Sequence, residues 1–173
     1  VDDAGLAAFD AFVASSAPRL LRTCFLLTGD RGLAEDLLQT AYARTFLRWD
    51  DVHVDTAEAY VRAVAANTAT RWWRRRWRGE VPTESLPDTA TIDAYGPAAA
   101  RADLRRALLT LPPGQRAVLV LRFLDDLGEA ETARALGTSV GTVKSRTSRA
   151  LARLRDDPSV RALVDDEPER SPA

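Results

Sequence analysis

Two arginine-bearing segments carry most of the chemistry open to this sequence. The first, Arg71-Trp-Trp-Arg-Arg-Arg-Trp-Arg78, interleaves cations with large ring systems. Guanidinium groups neutralise phosphates, and indole rings stack on unpaired bases or wedge at the edge of a duplex. The plainer alternative is a helix end whose tryptophans join a core and whose cations suit the helix dipole. The second segment, from Arg146 to Arg155, follows Ser139-Val-Gly-Thr-Val-Lys-Ser145, where hydroxyls and small residues adjoin the cations. Hydroxyls and small side chains permit close approach to a groove, arginine bonds guanine in a fork, and lysine binds phosphate.

Other chemistries lack their residues. Cys24 stands alone, which excludes an internal disulfide and a cysteine-based zinc cluster and suggests a small buried hydrophobe. His53 is the only histidine, so histidine-rich metal sites are excluded, and a solvated loop histidine is the simplest reading. No carboxylate, cysteine or histidine constellation has catalytic spacing, so an enzyme, a metal and a cofactor are not expected. The net charge is −1, yet the charge is segregated, with Lys144 the sole lysine among 24 basic residues and most acids lying between the arginine clusters and in the tail. A chain can hold a polyanion on local basic faces while its net charge stays near zero. No apolar run approaches the roughly 20 residues of a bilayer span, and Val1-Asp2-Asp3 is acidic where a secretory signal is basic, so a cytoplasmic protein is expected.

The elements that must position these residues are helical. Apolar positions recur at three- and four-residue intervals, and almost nothing reads as strand. A first amphipathic segment runs from about Asp3 to Leu27, with Pro18 expected to bend it or start a second helix. Asp30 is a plausible N-cap for a second helix over about Gly32 to Trp49, and Glu35, Asp36, Gln39 and Arg44 fall largely outside its apolar stripe. A polar stretch, Asp50 to Thr56, leads to a third helix from about Ala57 into the arginine cluster. Its inner stripe is Ala57, Val61, Val64, Ala65, Thr68 and Trp72, with Ala63, Ala66, Asn67, Thr70, Arg74 and Trp77 on the other side.

Pro82, Pro87, Gly96 and Pro97 then interrupt an acidic stretch that reads as a flexible linker. The expected architecture is all-α, two small helical domains at residues 1–79 and 101–156, joined by a linker at 80–100 and followed by an acidic tail at 157–173. In the second domain, Gly128 to Leu154 reads as a helix-turn-helix: Ala133 and Leu136 face inward, Gly137 takes a positive φ, and Ser139 caps the second helix. At about 100° per residue, Val140, Val143, Thr147, Ala150, Leu151 and Leu154 share the inner arc. Gly141, Ser145, Ser148, Arg149 and Ala152 lie opposite, flanked by Thr142 and Lys144. A soluble helix with a merely solvated polar face would require both the turn chemistry and the facing pattern to be accidental.

In this order the motifs resemble an extracytoplasmic-function sigma factor of bacterial RNA polymerase, in its SigE-like branch. The resemblance rests on Ala34-Glu-Asp-Leu-Leu-Gln-Thr-Ala-Tyr42 with Phe46 and Trp49, and on Tyr60-Val-Arg-Ala-Val-Ala-Ala-Asn67 running into the Trp/Arg cluster. It rests also on Leu111-Pro-Pro-Gly-Gln-Arg-Ala-Val-Leu119 with Gly141-Thr-Val-Lys-Ser-Arg146, and covers about Phe9 to Arg155 apart from the linker. It implies sigma domains 2 and 4, promoter DNA as ligand, and as partners the clamp helices and flap of core polymerase and an anti-sigma factor. Residue by residue, it implies that Glu35, Asp36, Gln39 and Thr40 dock on the clamp helices, with Thr40 standing where the family often has glutamate. Asp50, His53 and Thr56 would belong to the segment holding a flipped base of the −10 element, Asn67 would read that element, and Arg71, Arg74 and Arg75 would meet phosphates beside it. Ala63 stands where a basic residue is common. Thr142, Lys144, Ser145, Ser148 and Arg149 would face the −35 element.

Two other functions use the same residues. A stand-alone helix-turn-helix regulator would bind duplex operator without polymerase. An adaptor binding protein partners would tolerate charge reversal at Arg74, Arg75 and Arg76.

Overall fold

In a computed structural model of the chain, residues 2–77, 98–158 and 160 are described. All the regular structure among them is helical: α1 (Asp3–Thr28), α2 (Arg31–Phe46), α3 (Val54–Trp77), α4 (Ala98–Thr110), α5 (Pro113–Leu119), α6 (Glu129–Ala135) and α7 (Val140–Asp156), with a 3-10 turn at Trp49–Asp51 and a π turn at Val120–Leu124. The expected acidic linker lies outside the described residues.

Helix ends follow local chemistry. Asp2 caps α1 by accepting from Gly5 N at 2.8 Å, and Asp30 caps α2 by accepting from Leu33 N at the same distance. Gly29 ends α1 at φ +76°, donating to Phe25 O at 2.7 Å, and a Cβ there would come within 2.5 Å of Leu109 on α4. Pro113 starts α5, where its missing N–H costs nothing.

Three boundaries differ from the sequence reading. Pro18 neither bends α1 into two elements nor starts a new one; it lies on the exposed face, while Phe12, Ser16 and Leu20, buried on both sides of it, hold the helix against its neighbours. The second helix stops at Phe46 rather than Trp49, and the third begins at Val54, so Thr56 is helical. Along α7, Val140 and Leu151 are 38% and 41% exposed, and only Val143 and Ala150 are fully buried.

α1, α2 and α3 pack together, with Leu20, Leu37, Ala41 and Val61 at their centre; α5, α6 and α7 form a second group around Val118 and Val143. These two groups are the two expected helical domains, and they pack against each other. α3 packs against α5 and α6, and α1 against the π turn, so one core runs from Phe9 through Ala66 and Leu111 to Leu121. Ala66, read from periodicity as outward, is therefore fully buried.

Candidate nucleic-acid interface

On α2, Glu35, Asp36 and Gln39 are exposed side by side and Thr40 is half-buried, because Ala34, Leu37, Leu38 and Ala41 occupy the opposite face. Arg31 Nε holds Glu35 Oε1 at 2.9 Å. After α2, Trp49 drives its ring between Phe9 and Phe12, with centroids at 4.9 and 5.4 Å. That anchor fixes the following turn and leaves Asp50, His53 and Thr56 exposed, with the Thr56 hydroxyl donating to His53 O at 3.0 Å. Leu47 and Val54, 83% and 59% exposed, bracket this turn. Exposed apolar side chains there are a feature that charge patterning does not reveal.

Further along α3, Arg71, Arg74 and Arg75 are exposed. Together with Arg44 of α2, Thr68 and Trp72 they line a cavity of about 440 Å³. Arg44 Nη1 donates to Thr68 Oγ1 at 3.0 Å, an interhelical tie that the sequence reading did not anticipate. The side chains of Arg76 and Trp77, and all of Arg78, lie outside the described residues.

The helix-turn-helix has the expected turn. Gly137 takes φ +59°, Thr138 N donates to Ala133 O at 3.0 Å, and Ser139 Oγ accepts from Thr142 N at 3.1 Å. Lys144, Ser145, Ser148 and Arg149 are exposed along one face of α7, and Thr142 is half-buried beside them. Lys144 Nζ lies 3.6 Å from Glu129 Oε2, a solvent-screened pair that leaves the ammonium available.

Asn67 has a different setting. It is half-buried, and its Nδ2 donates to Ala63 O at 2.9 Å and across the groups to Ala135 O at 2.7 Å, at the end of α6. Polar groups line the rest of this contact. Arg116, 2% exposed, donates from Nε to Leu108 O at 2.9 Å and from Nη1 to Leu27 O at 2.8 Å; Nη2 reaches Leu109 O and Leu111 O, each at 3.2 Å. It thereby satisfies carbonyls at the ends of both α1 and α4, where the helix dipoles favour a cation. Its guanidinium carbon lies 5.2 Å from the Trp73 ring centroid, and burial pulls its pKa down to about 10. Arg105 Nη1 reaches Gly29 O at 2.7 Å. Asp125, turned toward α1 by the π turn, accepts from Thr23 Oγ1 at 2.7 Å and faces Arg62 Nε at 3.5 Å. Burial pushes its carboxyl above the usual carboxylate range, offset in part by Thr23, Arg62 and Arg22. Cys24 is buried, and its thiol is pushed up to about 12 by that burial, so it is inert.

Two family models match, "Sigma-70 region 2" over residues 12–79 and "Sigma-70, region 4" over residues 101–154. Over 171 residues the chain is 47% identical to the RNA polymerase sigma-E factor of Streptomyces coelicolor, spanning 95% of this chain and 97% of that one. The chain belongs to the sigma-70 family. The ECF RNA polymerase sigma factor SigE of Mycolicibacterium smegmatis is 32% identical over 164 residues, 90% of this chain and 63% of its own, in keeping with an extracytoplasmic-function sigma factor. The fold matches that of a sigma factor RpoE in complex with the anti-sigma factor NepR from Bartonella quintana, with a TM-score of 0.69 and 22% identity over 92% of this chain and 98% of that one. This sigma factor thus serves transcription initiation, and a stand-alone regulator is not favoured. No helix among the described residues is long and apolar enough to cross a membrane.

Proposed function

We propose that this sigma factor docks on the clamp helices of core RNA polymerase through Glu35, Asp36, Gln39 and Thr40. In this reading the turn carrying Asp50, His53 and Thr56 captures an extruded base of the −10 element, which Asn67 reads. Arg71, Arg74 and Arg75 hold phosphates beside it, and Thr142, Lys144, Ser145, Ser148 and Arg149 face the −35 duplex. The observation that carries this reading is the pairing, in one family member, of an exposed capped recognition helix with an exposed arginine face on α3. The chain performs no reaction of its own; polymerase supplies catalysis in the cytoplasm, and base capture offsets part of an unstacking cost of a few kcal/mol.

The described arrangement is closed, because Asn67 bonds to Ala135 O. Reading a base requires that bond to break, so α6 must leave α3 when promoter and polymerase are engaged. An anti-sigma factor is a further partner in this reading, because the sigma factor RpoE, of similar fold, forms a complex with the anti-sigma factor NepR. Run-off transcription with core polymerase and a promoter library selected from random DNA tests the function. A specific transcript requiring both elements is the expected result, and tight duplex binding without polymerase would instead identify a self-sufficient regulator.

A further inference from the structure

Glu129, the first residue of α6, lies between two cations that come from two other elements. Its Oε1 faces Arg122 Nη2 of the π turn at 4.0 Å, and its Oε2 faces Lys144 Nζ of α7 at 3.6 Å. The two cations are not equivalent. The Arg122 side chain is 22% exposed and its guanidinium carbon lies 5.6 Å from the Phe123 ring centroid, so it is held on the covered side. The Lys144 side chain is 64% exposed and forms the free end. A pair this open adds little to folding, so stability does not account for it. Lys144 is also the sole lysine among 24 basic residues. An arginine in its place would match the carboxylate with both prongs of its fork and be occupied by it. An ammonium carries three rotatable donors, and one contact with Glu129 leaves two of them for another acceptor.

We infer that Glu129 is a positioning residue for −35 recognition: it turns Lys144 away from phosphate and aims the ammonium at acceptors on a base edge, such as O6 and N7 of guanine. The inference rests on the proposed promoter function and deepens it by changing what Lys144 recognises. Without a restraint, a point charge on a flexible four-carbon stem goes to the nearest strong anion, which at a duplex is phosphate. The carboxylate beside it opposes that outcome twice. It draws the ammonium toward α6, and it repels phosphate oxygens through like charge. Seating α7 in a groove expels water, so an attraction that solvent screens in the free chain grows on binding. Arg122, on the other carboxylate oxygen, offsets part of the negative charge that Glu129 brings to the duplex.

The test measures promoter binding by holoenzyme assembled from core polymerase and the wild-type, Glu129→Gln, Lys144→Gln or doubly substituted chain. Its probes are one promoter selected from random DNA and duplexes that carry each single substitution of its −35 element. In E129Q, discrimination at one base pair should fall about tenfold. The same base pair should lose its discrimination in K144Q, with no further loss in the double variant. The log–log salt slope of E129Q should steepen by about 0.9, as the released ammonium neutralises one more phosphate, while its melting temperature stays within a few degrees of wild type. Wild-type discrimination at every base pair in E129Q overturns the inference. So does a uniform loss across all probes with an unchanged slope, which marks a structural role. Loss at a base pair that K144Q leaves intact overturns it too, because the carboxylate then reads the base itself. If K144Q and Arg149→Ala both keep wild-type discrimination throughout the −35 element, the underlying assignment of α7 fails; discrimination lost in K144Q but kept in E129Q overturns the positioning role alone.

Discussion

Arg116 shows how one side chain can join two groups of helices without a carboxylate partner. Its donors meet carbonyls at the C-terminal ends of α1 and α4, so the cation is compensated by aligned backbone dipoles. Arg116→Met keeps much of the volume but strands those carbonyls, and it should lower unfolding free energy by about 3 kcal/mol, read from the urea midpoint. A shift within error would show that water replaces the guanidinium. Asp125 acts with the opposite sign. Because burial raises its pKa, the contact holds more protons than a separated pair of helix groups would in the mildly acidic range. The contact should therefore tighten as pH falls through that raised value and loosen as pH rises above it. Arg22, Arg62 and Glu58 are the charged groups that face it, and Glu58 is held below its usual range chiefly by the Arg19 hydrogen bond, so it stays ionised through this window. Energy transfer between dyes on the two groups, followed against pH, should show this trend in wild type, and Asp125→Asn should flatten it.

At the scale of elements, α7 owes its start to a single hydroxyl. Ser139→Ala should cost about 1 kcal/mol in stability, measured by thermal unfolding, and should weaken −35 binding by fraying the first turn that carries Thr142. Arg149→Ala acts on recognition instead. Exposed on the polar face of α7, it should lose about 1–3 kcal/mol of discrimination at one base pair of the −35 element. Competition binding with single-substitution −35 variants measures this, and a uniform loss across all of them would mean that Arg149 contacts phosphate only. The element boundaries that periodicity missed share a cause. Pro18 is tolerated because its neighbours in α1 are buried on the side away from it, and the π turn forms where α5 must aim Asp125 at α1. Both are decided by contacts with distant residues.

At the scale of the molecule, closure is the property with most consequence. Thr23 and Asp125 touch across the groups at 2.7 Å, close enough for cysteines at these two positions to be oxidised to a disulfide as the chain folds, while Cys24 is buried with a raised thiol pKa. The Thr23→Cys, Asp125→Cys disulfide that bridges the groups should abolish promoter-specific transcription until it is reduced, while each single variant stays active under both conditions. Full activity of the bridged chain would mean that α6 need not leave α3.

The sequence alone determined the helical class, the caps at Asp30 and Ser139, the turn at Gly137 and the exposed faces of α2 and α7, because spacing, capping and glycine conformation are local properties. The family motifs were legible for the same reason, as contiguous runs such as Ala34 to Tyr42. Only the tertiary structure decided that the two groups share a core, that Ala66 is buried, that Asn67 bonds to Ala135, and that Arg44 bonds to Thr68 across two helices. Such pairings link residues dozens of positions apart. A periodic pattern shows which side of a helix is apolar, but small residues such as Ala63 and Ala66 are compatible with either water or a partner helix. Whether that side is covered depends on the summed burial of the whole chain, which no local window contains.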